Sequence, residues 1–229
     1  MLLQTEPETW YNAGEVRSMR TKEQIEGIIA ALEREYPMAD CTLDERDPWR
    51  LLVQVRLAAQ CTDARVNLVT PALFARFPTV RDMARADIGE VEELIRSCGF
   101  YHAKARDLVL QAVRIVEVYG GAVPDTMEDL LTLPGVGRKS ANLILGDVFR
   151  RPGAVVVDTH CIRLTNRMGL VDGEKDPARI EKLLREALPP EKTNDFCHRL
   201  VLHGRAVCSA RKPLCDKCCC AVYCKSLNH

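Results

Sequence analysis

Four cysteines with the spacing Cys208-x6-Cys215-x2-Cys218-x5-Cys224 lie within 17 residues near the end of the chain. Thiolates are soft ligands, and four in one short loop hold either a tetrahedral zinc ion or a [4Fe–4S] cube; the spacing does not choose between them. Six of the eleven cysteines fall in this stretch. An odd total, on a chain whose start lacks a basic flank and an apolar signal core, does not read as a disulfide framework. It reads as a metal site in a reducing compartment. Cys219 and Cys220 blur the ligand set, since either can replace Cys218.

A second group is Leu133-Pro134-Gly135-Val136-Gly137-Arg138-Lys139. Two glycines let backbone approach a ligand closely, and a helix starting at Gly137 offers unpaired N–H groups at its positive end. That arrangement suits a phosphate, with Arg138 and Lys139 adding charge. The plainer alternative is a tight turn between two helices with no ligand. The third group is Val155-Val156-Val157-Asp158-Thr159-His160, an apolar run ending in a carboxylate. Taken alone, Asp158 reads as the N-cap of the next helix, and it gains chemical interest only if it faces Lys139.

The elements that must position these groups read as helices. Thr21 caps a helix with Ile25, Ile28, Ile29 and Leu32 on one stripe. Asp47-Pro48 opens the next, through Leu51, Leu52, Val55 and Leu57. Asp63 is the expected cap of a third helix that Pro71 should kink or restart with Thr70 as a new cap. Asp87 and Glu90 form a capping-box variant ahead of Val91, Leu94, Ile95 and Cys98, with Gly99 as the stop. A long helix follows from His102 to Tyr119, closed by Gly120-Gly121. Residues 127–132 and 137–149 flank the glycine hairpin, Asp176-Pro177 opens a helix with Ile180, Leu183, Leu184 and Ala187 inward, and residues 191–207 make the last one. Residues 154–157 are the only strand-like run and are too short to found a sheet. The expectation is an all-α fold. If the first helix packs with the last ones, the chain makes a discontinuous second lobe.

Composition bounds the rest. Hydrophobic residues make up 47% and charged residues 28% of 229, as in a globular chain, and no apolar run is long enough to cross a bilayer. Net charge is zero but unevenly spread: residues 1–50 carry 6 basic against 11 acidic side chains, 51–130 carry 9 against 11, and 131–229 carry 17 against 10. The neutral total argues against strong nonspecific nucleic-acid binding, while the basic C-terminal half leaves room for a DNA-facing surface.

Taken together and in this order, LPGVGRKSAN at 133–142, VDTH at 157–160 and the 6-2-5 cysteine spacing resemble the endonuclease III family, helix-hairpin-helix DNA glycosylases with an iron–sulfur loop. Weaker matches are LAAQCTD at 57–63 and GFYHAKA at 99–105. The similarity implies a two-lobed fold: a six-helix lobe at 41–152 with the helix-hairpin-helix near 127–149, and a cluster lobe built from 21–40 and 153–229. Residues 1–20 would be an extension, with Met19 an alternative start. It implies a [4Fe–4S] cluster on Cys208, Cys215, Cys218 and Cys224, with a monovalent cation at the hairpin carbonyls. Lys139 would be the nucleophile and Asp158 the second catalytic group. Pro134, Gly135, Val136, Gly137 and Arg138 would grip DNA, with Arg211 and Lys212 touching phosphates, Gln60 entering the hole left by the flipped nucleotide and Phe100 wedging beside the opposite base.

The activity implied is a bifunctional glycosylase and abasic-site lyase acting on oxidised pyrimidines, as a cytoplasmic, nucleoid-associated monomer whose partner is double-stranded DNA. Lysine at 139 separates this reading from relatives that only remove a base. The alternatives are a glycosylase with a different lesion range, for mispairs or alkylated bases, and a noncatalytic DNA-binding or redox-sensing module. The sequence departs from the family pattern at Ala58, His102 and Gly146, the first two in stretches expected to touch the lesion and the opposite strand. His160 and His203 read as structural hydrogen-bonding groups, and Cys41, Cys61, Cys98, Cys161 and Cys197 as buried small hydrophobes.

Overall fold

Most helix starts among the described residues are written by their caps. In the computed structural model, which describes residues 20–227, Thr21 closes a capping box with Gln24 and opens α1 (Lys22–Glu35). Asp47 caps α2 (Pro48–Ala58) with proline at its first position. The expected extension at residues 1–20 lies outside the described residues except for Arg20, and so do Trp10, Tyr11 and Met19.

The cap of α3 (Asp63–Arg76) is Thr62, not Asp63: the Thr62 hydroxyl accepts from Arg65 N, and Asp63 sits one position inside, where its charge favours the helix N-terminus. Nor does Pro71 end the helix. Proline removes one intrahelical N–H, while Val66, Leu73 and Phe74 on either side of it are buried, so packing carries the helix through. Thr70 is an interior residue whose hydroxyl accepts from Gln54 Nε2 at 3.1 Å.

The chain continues through α4 (Val80–Met83), α5 (Ile88–Ile95), α6 (Tyr101–Tyr119), α7 (Met127–Leu130) and α8 (Arg138–Asp147). After an extended crossing at residues 154–157 come α9 (Thr159–Met168), α10 (Pro177–Ala187) and α11 (Thr193–Ala206). The C-terminal cysteine loop is a run of short 3₁₀ turns. Among the described residues there is no strand; the apolar run at 154–157 is fully buried but pairs with nothing, and the fold is all-α.

Two hydrophobic cores result. One gathers Leu51, Leu52, Leu57, Leu73, Met83, Leu108 and Ile144 from α2 through α8. The other gathers Ile28 and Leu32 of α1 with Val155, Leu164, Ile180, Leu184 and Phe196 from the last third of the chain. Each such side chain contributes about 1.5–3 kcal/mol on burial. Ala154 belongs to the first core and Val155 to the second, and Leu143 of α8 packs against both. Gly27 lets the Tyr223 ring lie directly on α1, which joins the first helix to the cysteine loop.

Candidate active site and nucleic-acid interface

The hairpin between α7 and α8 is built for close approach. Val136 N donates to Leu133 O at 3.1 Å, closing the turn, and Gly135 has φ +71°, the left-handed region. A Cβ at Gly135 would stand 2.6 Å from Arg56 Nε and from Asp107 Oδ2, so the turn rests on that ion pair. Gln111 of α6 donates to Pro134 O at 2.5 Å. Gly137 caps α8 without a side chain, which leaves the first amides of the helix open to a ligand.

Lys139 therefore sits in the first turn of α8, exposed. Asp158 arrives from the other lobe, at the end of the buried crossing. It does cap α9, with Oδ1 accepting from Cys161 N at 2.7 Å. It also lines, with Lys139, one cavity of about 380 Å³ lying between the two cores, together with Gln60, Ala58, Asp63 and Arg205. His160 feels both charges. Burial lowers its pKa, Asp158 works against that, and Arg163, Arg205 and Lys139 add to it. Asn142 braces the pair, its Oδ1 accepting from Val155 N at 3.3 Å and from Arg185 Nη2 at 3.0 Å, so α8 is tied to the crossing that delivers Asp158.

Arg138 has a partner of its own. Its Nε and Nη2 donate to the two Glu181 carboxylate oxygens at 2.9 and 2.6 Å, which raises its pKa. Glu181 is almost wholly buried and also meets Arg185 at 3.0 Å. The guanidinium is thus pre-aimed and its charge partly balanced at the hairpin edge.

Gln60 and Phe100 lie on two separate turns, after α2 and before α6, and both are exposed. Three non-glycine residues have positive φ among those described: Gln60 at 54°, Phe100 at 48° and Arg150 at 52°. Two of the three are the side chains expected to enter the duplex, and such backbone persists where surrounding structure holds it. Phe100 does not line the cavity; it stands clear of it with 70% of its surface exposed. His102 beside it pairs with Glu92 at 2.7 Å.

Cys208, Cys215, Cys218 and Cys224 are free, half-buried thiols. Arg167 Nη1 donates to Cys208 Sγ at 3.2 Å, and His203 Nε2 lies 3.3 Å from Cys218 Sγ, with Tyr36 on the other ring nitrogen at 3.1 Å. Donors aimed at sulfur stabilise thiolate ligands. Burial, then the neighbouring Cys218 and Cys208, holds the Cys224 thiol above its ordinary pKa. Cys220 is different: it is buried in the second core near Ile28, as a core residue is. Among the described residues no three His, Cys, Asp or Glu side chains are close enough to hold a single metal ion. Arg211 and Lys212 are exposed on the loop at 209–214, which Arg167 pins through Ser209 O and Ala210 O at 2.8 and 2.9 Å.

Of the cysteines read as buried, Cys98, Cys161 and Cys197 are so, but Cys41 and Cys61 are half-buried and line the cavity, because each lies in a loop rather than on a helix stripe. Sequence reasoning passed over Lys104, Asn142 and Glu181. A signal existed for Lys104 and Glu181: each falls on the apolar stripe of its helix, beside Leu108 and Leu184 respectively, where a charge needs a partner.

A helix-hairpin-helix whose open amides adjoin a lysine and an aspartate, beside a four-cysteine loop, defines a class. The profile of the HhH-GPD superfamily of base excision DNA repair proteins matches residues 53–190. Endonuclease III of Synechocystis sp. is 47% identical over 212 residues, spanning 92% of this chain and 96% of its own. Endonuclease III of Bacillus subtilis is 38% identical over 87% of this chain and 91% of its own. A solved structure of a trapped endonuclease III–DNA covalent intermediate superposes with a TM-score of 0.85 at 37% identity, covering 92% of this chain and 98% of that one. The chain belongs to the endonuclease III family. A thermostable thymine-DNA glycosylase, 22% identical with a TM-score of 0.79, shares the fold.

Proposed function

We propose that this chain is a bifunctional DNA glycosylase and abasic-site lyase of base excision repair, acting on oxidised pyrimidines in double-stranded DNA. The observation that carries the reading is that Lys139 and Asp158, from different lobes, line one cavity. A damaged base must leave the stack to be reached, and a lesion lowers that cost. Gln60 fills the vacated space and Phe100 wedges beside the opposite base, which holds the kinked duplex. The hairpin, Pro134 to Arg138, grips a phosphate with its open amides.

The Lys139 amine attacks the sugar C1′ and the C1′–N bond breaks, the base leaving with the electron pair and taking up the proton that the lysine nitrogen loses. The C1′–O4′ bond then opens, the nitrogen lone pair forming C=N and O4′ taking up a proton, and the resulting Schiff base acidifies C2′–H; its removal expels the 3′ phosphate by β-elimination, and water releases the lysine. Asp158 stabilises the positive charge that develops on the sugar and helps move protons, without attacking.

The same reading assigns a [4Fe–4S] cluster to Cys208, Cys215, Cys218 and Cys224. Four thiolates that each hold a separate iron do not have to converge on one point, as zinc would demand. When bound, the group supplies a structural clamp on the loop that offers Arg211 and Lys212 to phosphates. A monovalent cation at the hairpin carbonyls, the lobe boundaries 21–40 with 153–229 against 41–152, and a cytoplasmic, nucleoid-associated monomer complete the proposal. Among the described residues no helix is long and apolar enough to cross a membrane.

The test is a panel of duplexes carrying one oxidised pyrimidine, one alkylated base or one mispair, scored for base release and for strand ends. Release of oxidised pyrimidines with β-elimination ends supports the reading. Release without strand cleavage, or only from mispairs or alkylated bases, contradicts it.

A further inference from the structure

Lys104 is a fully buried, charged side chain for which the chemistry above has no task. Its ammonium reaches back from the first turn of α6 and donates to Leu57 O at 2.8 Å and to Cys98 O at 2.6 Å. Each acceptor lies in the last turn of a helical segment, where carbonyls lack intrahelical partners and the helix end is negative. Burial pulls the lysine pKa down, so the two carbonyls are what keep a charge tolerable there.

The chain then leaves both acceptors in the same manner. Three residues past Leu57 stands Gln60, and two past Cys98 stands Phe100, each left-handed without being glycine. Phe100 is the N-cap of α6 and makes no side-chain cap bond, and Gln60 lies in the short turn between α2 and α3. Lys104 N also donates to Phe100 O at 3.1 Å, the first backbone bond of α6. The two turns are thus linked to each other through one side chain.

We infer that Lys104 is a positioning residue: its buried ammonium ties the turn that carries Gln60 to the turn that carries Phe100, and so fixes the separation of the two side chains that enter the duplex. This rests on the reading of Gln60 and Phe100 as wedges. It predicts that Lys104 matters where a paired base has to be displaced, and little where the base is already gone.

Lys104→Met keeps the stem and removes the donors. Single-turnover base release is measured on a duplex with one oxidised pyrimidine and a 2-aminopurine beside the orphaned base, whose fluorescence reports insertion. Cleavage of a preformed abasic site, melting temperature and iron content are measured in parallel. The expected result is a loss of about ten- to a hundredfold in base release with a smaller fluorescence step, since a misplacement near 1 Å costs that much. Abasic-site cleavage should change by no more than a few fold. In a Gln60→Ala/Phe100→Ala background, Lys104→Met should add no further loss.

Base release unaffected by Lys104→Met, equal losses in both activities, or a full additional loss in the wedge-free background would each overturn the inference. If Lys104→Met does not fold, Lys104→Gln, which keeps amide donors without the charge, carries the same cycle with a smaller expected loss. Should Gln60→Ala and Phe100→Ala leave the fluorescence step unchanged, the wedge reading fails and takes the inference with it. Should they abolish it while the Lys104 variants do not touch it, the inference alone fails.

Discussion

Asp158 holds two positions at once, helix cap and cavity carboxylate, and a pair of substitutions separates them. Asparagine caps a helix about as well as aspartate. Asp158→Asn therefore keeps the bond to Cys161 N, 2.7 Å in the native protein, and loses only the charge at the start of α9. For a half-exposed carboxylate that charge is worth roughly 0.3 kcal/mol, the low end of the range. Alanine removes the cap as well, a further ~1 kcal/mol. In a chain of this size 1 kcal/mol shifts the melting temperature by about 2–4 °C. The asparagine variant should thus melt within about 1 °C of the native protein and the alanine variant about 3–5 °C below it. Activity should not follow that order. Both variants lose the negative charge opposite the developing sugar cation, so both should lose about 10²- to 10³-fold in single-turnover base release. The assay is calorimetry beside single-turnover kinetics on the same preparations. An asparagine variant with near-native rates would show that Asp158 is a cap alone; an alanine variant that melts like the native protein would show that the cap contributes nothing.

Gly135→Ala should weaken binding to an abasic-analogue duplex by about tenfold or more, since a left-handed alanine costs ~1–2 kcal/mol and its Cβ meets the Arg56–Asp107 pair; unchanged anisotropy titrations would contradict this. The Cys41 thiol is pushed up to about 12 from 9.0, mainly by burial, so it favours the folded state fully below pH 9 and progressively less toward 12. Cys41→Ala should flatten that alkaline limb of the stability profile, and superimposable profiles would count against it. Purified protein should carry about four irons with acid-labile sulfide, lost on Cys208→Ser and kept on Cys220→Ser; zinc in their place would remove the cluster from the account.

Local signals carried the fold a long way. Caps are decided within four residues, so Thr21, Asp47, Asp87 and Asp176 mark their helices in the sequence as they do in the structure. Thr62 against Asp63 is a contest between neighbours that both suit a helix start, and Pro71 depends on packing from outside its own helix. The candidate site divides in the same way. Lys139 and the hairpin are legible because the turn is local, whereas the cavity that Lys139 shares with Asp158 requires two lobes to meet. The pairs Arg138–Glu181 and Arg56–Asp107 and the anchoring of Lys104 join residues distant in sequence. Spacing marks such side chains only as charges on apolar stripes, without naming the partner.

The lyase chemistry turns on attack of the Lys139 amine on the sugar. Borohydride trapping on a duplex with one abasic site tests it directly, comparing the native protein with Lys139→Ala. A reduced covalent protein–DNA adduct from the native protein, and none from the variant, is the predicted result. Equal adducts from both would move the nucleophile elsewhere, and no adduct from a native protein that carries its metal and binds the duplex would contradict the lyase chemistry.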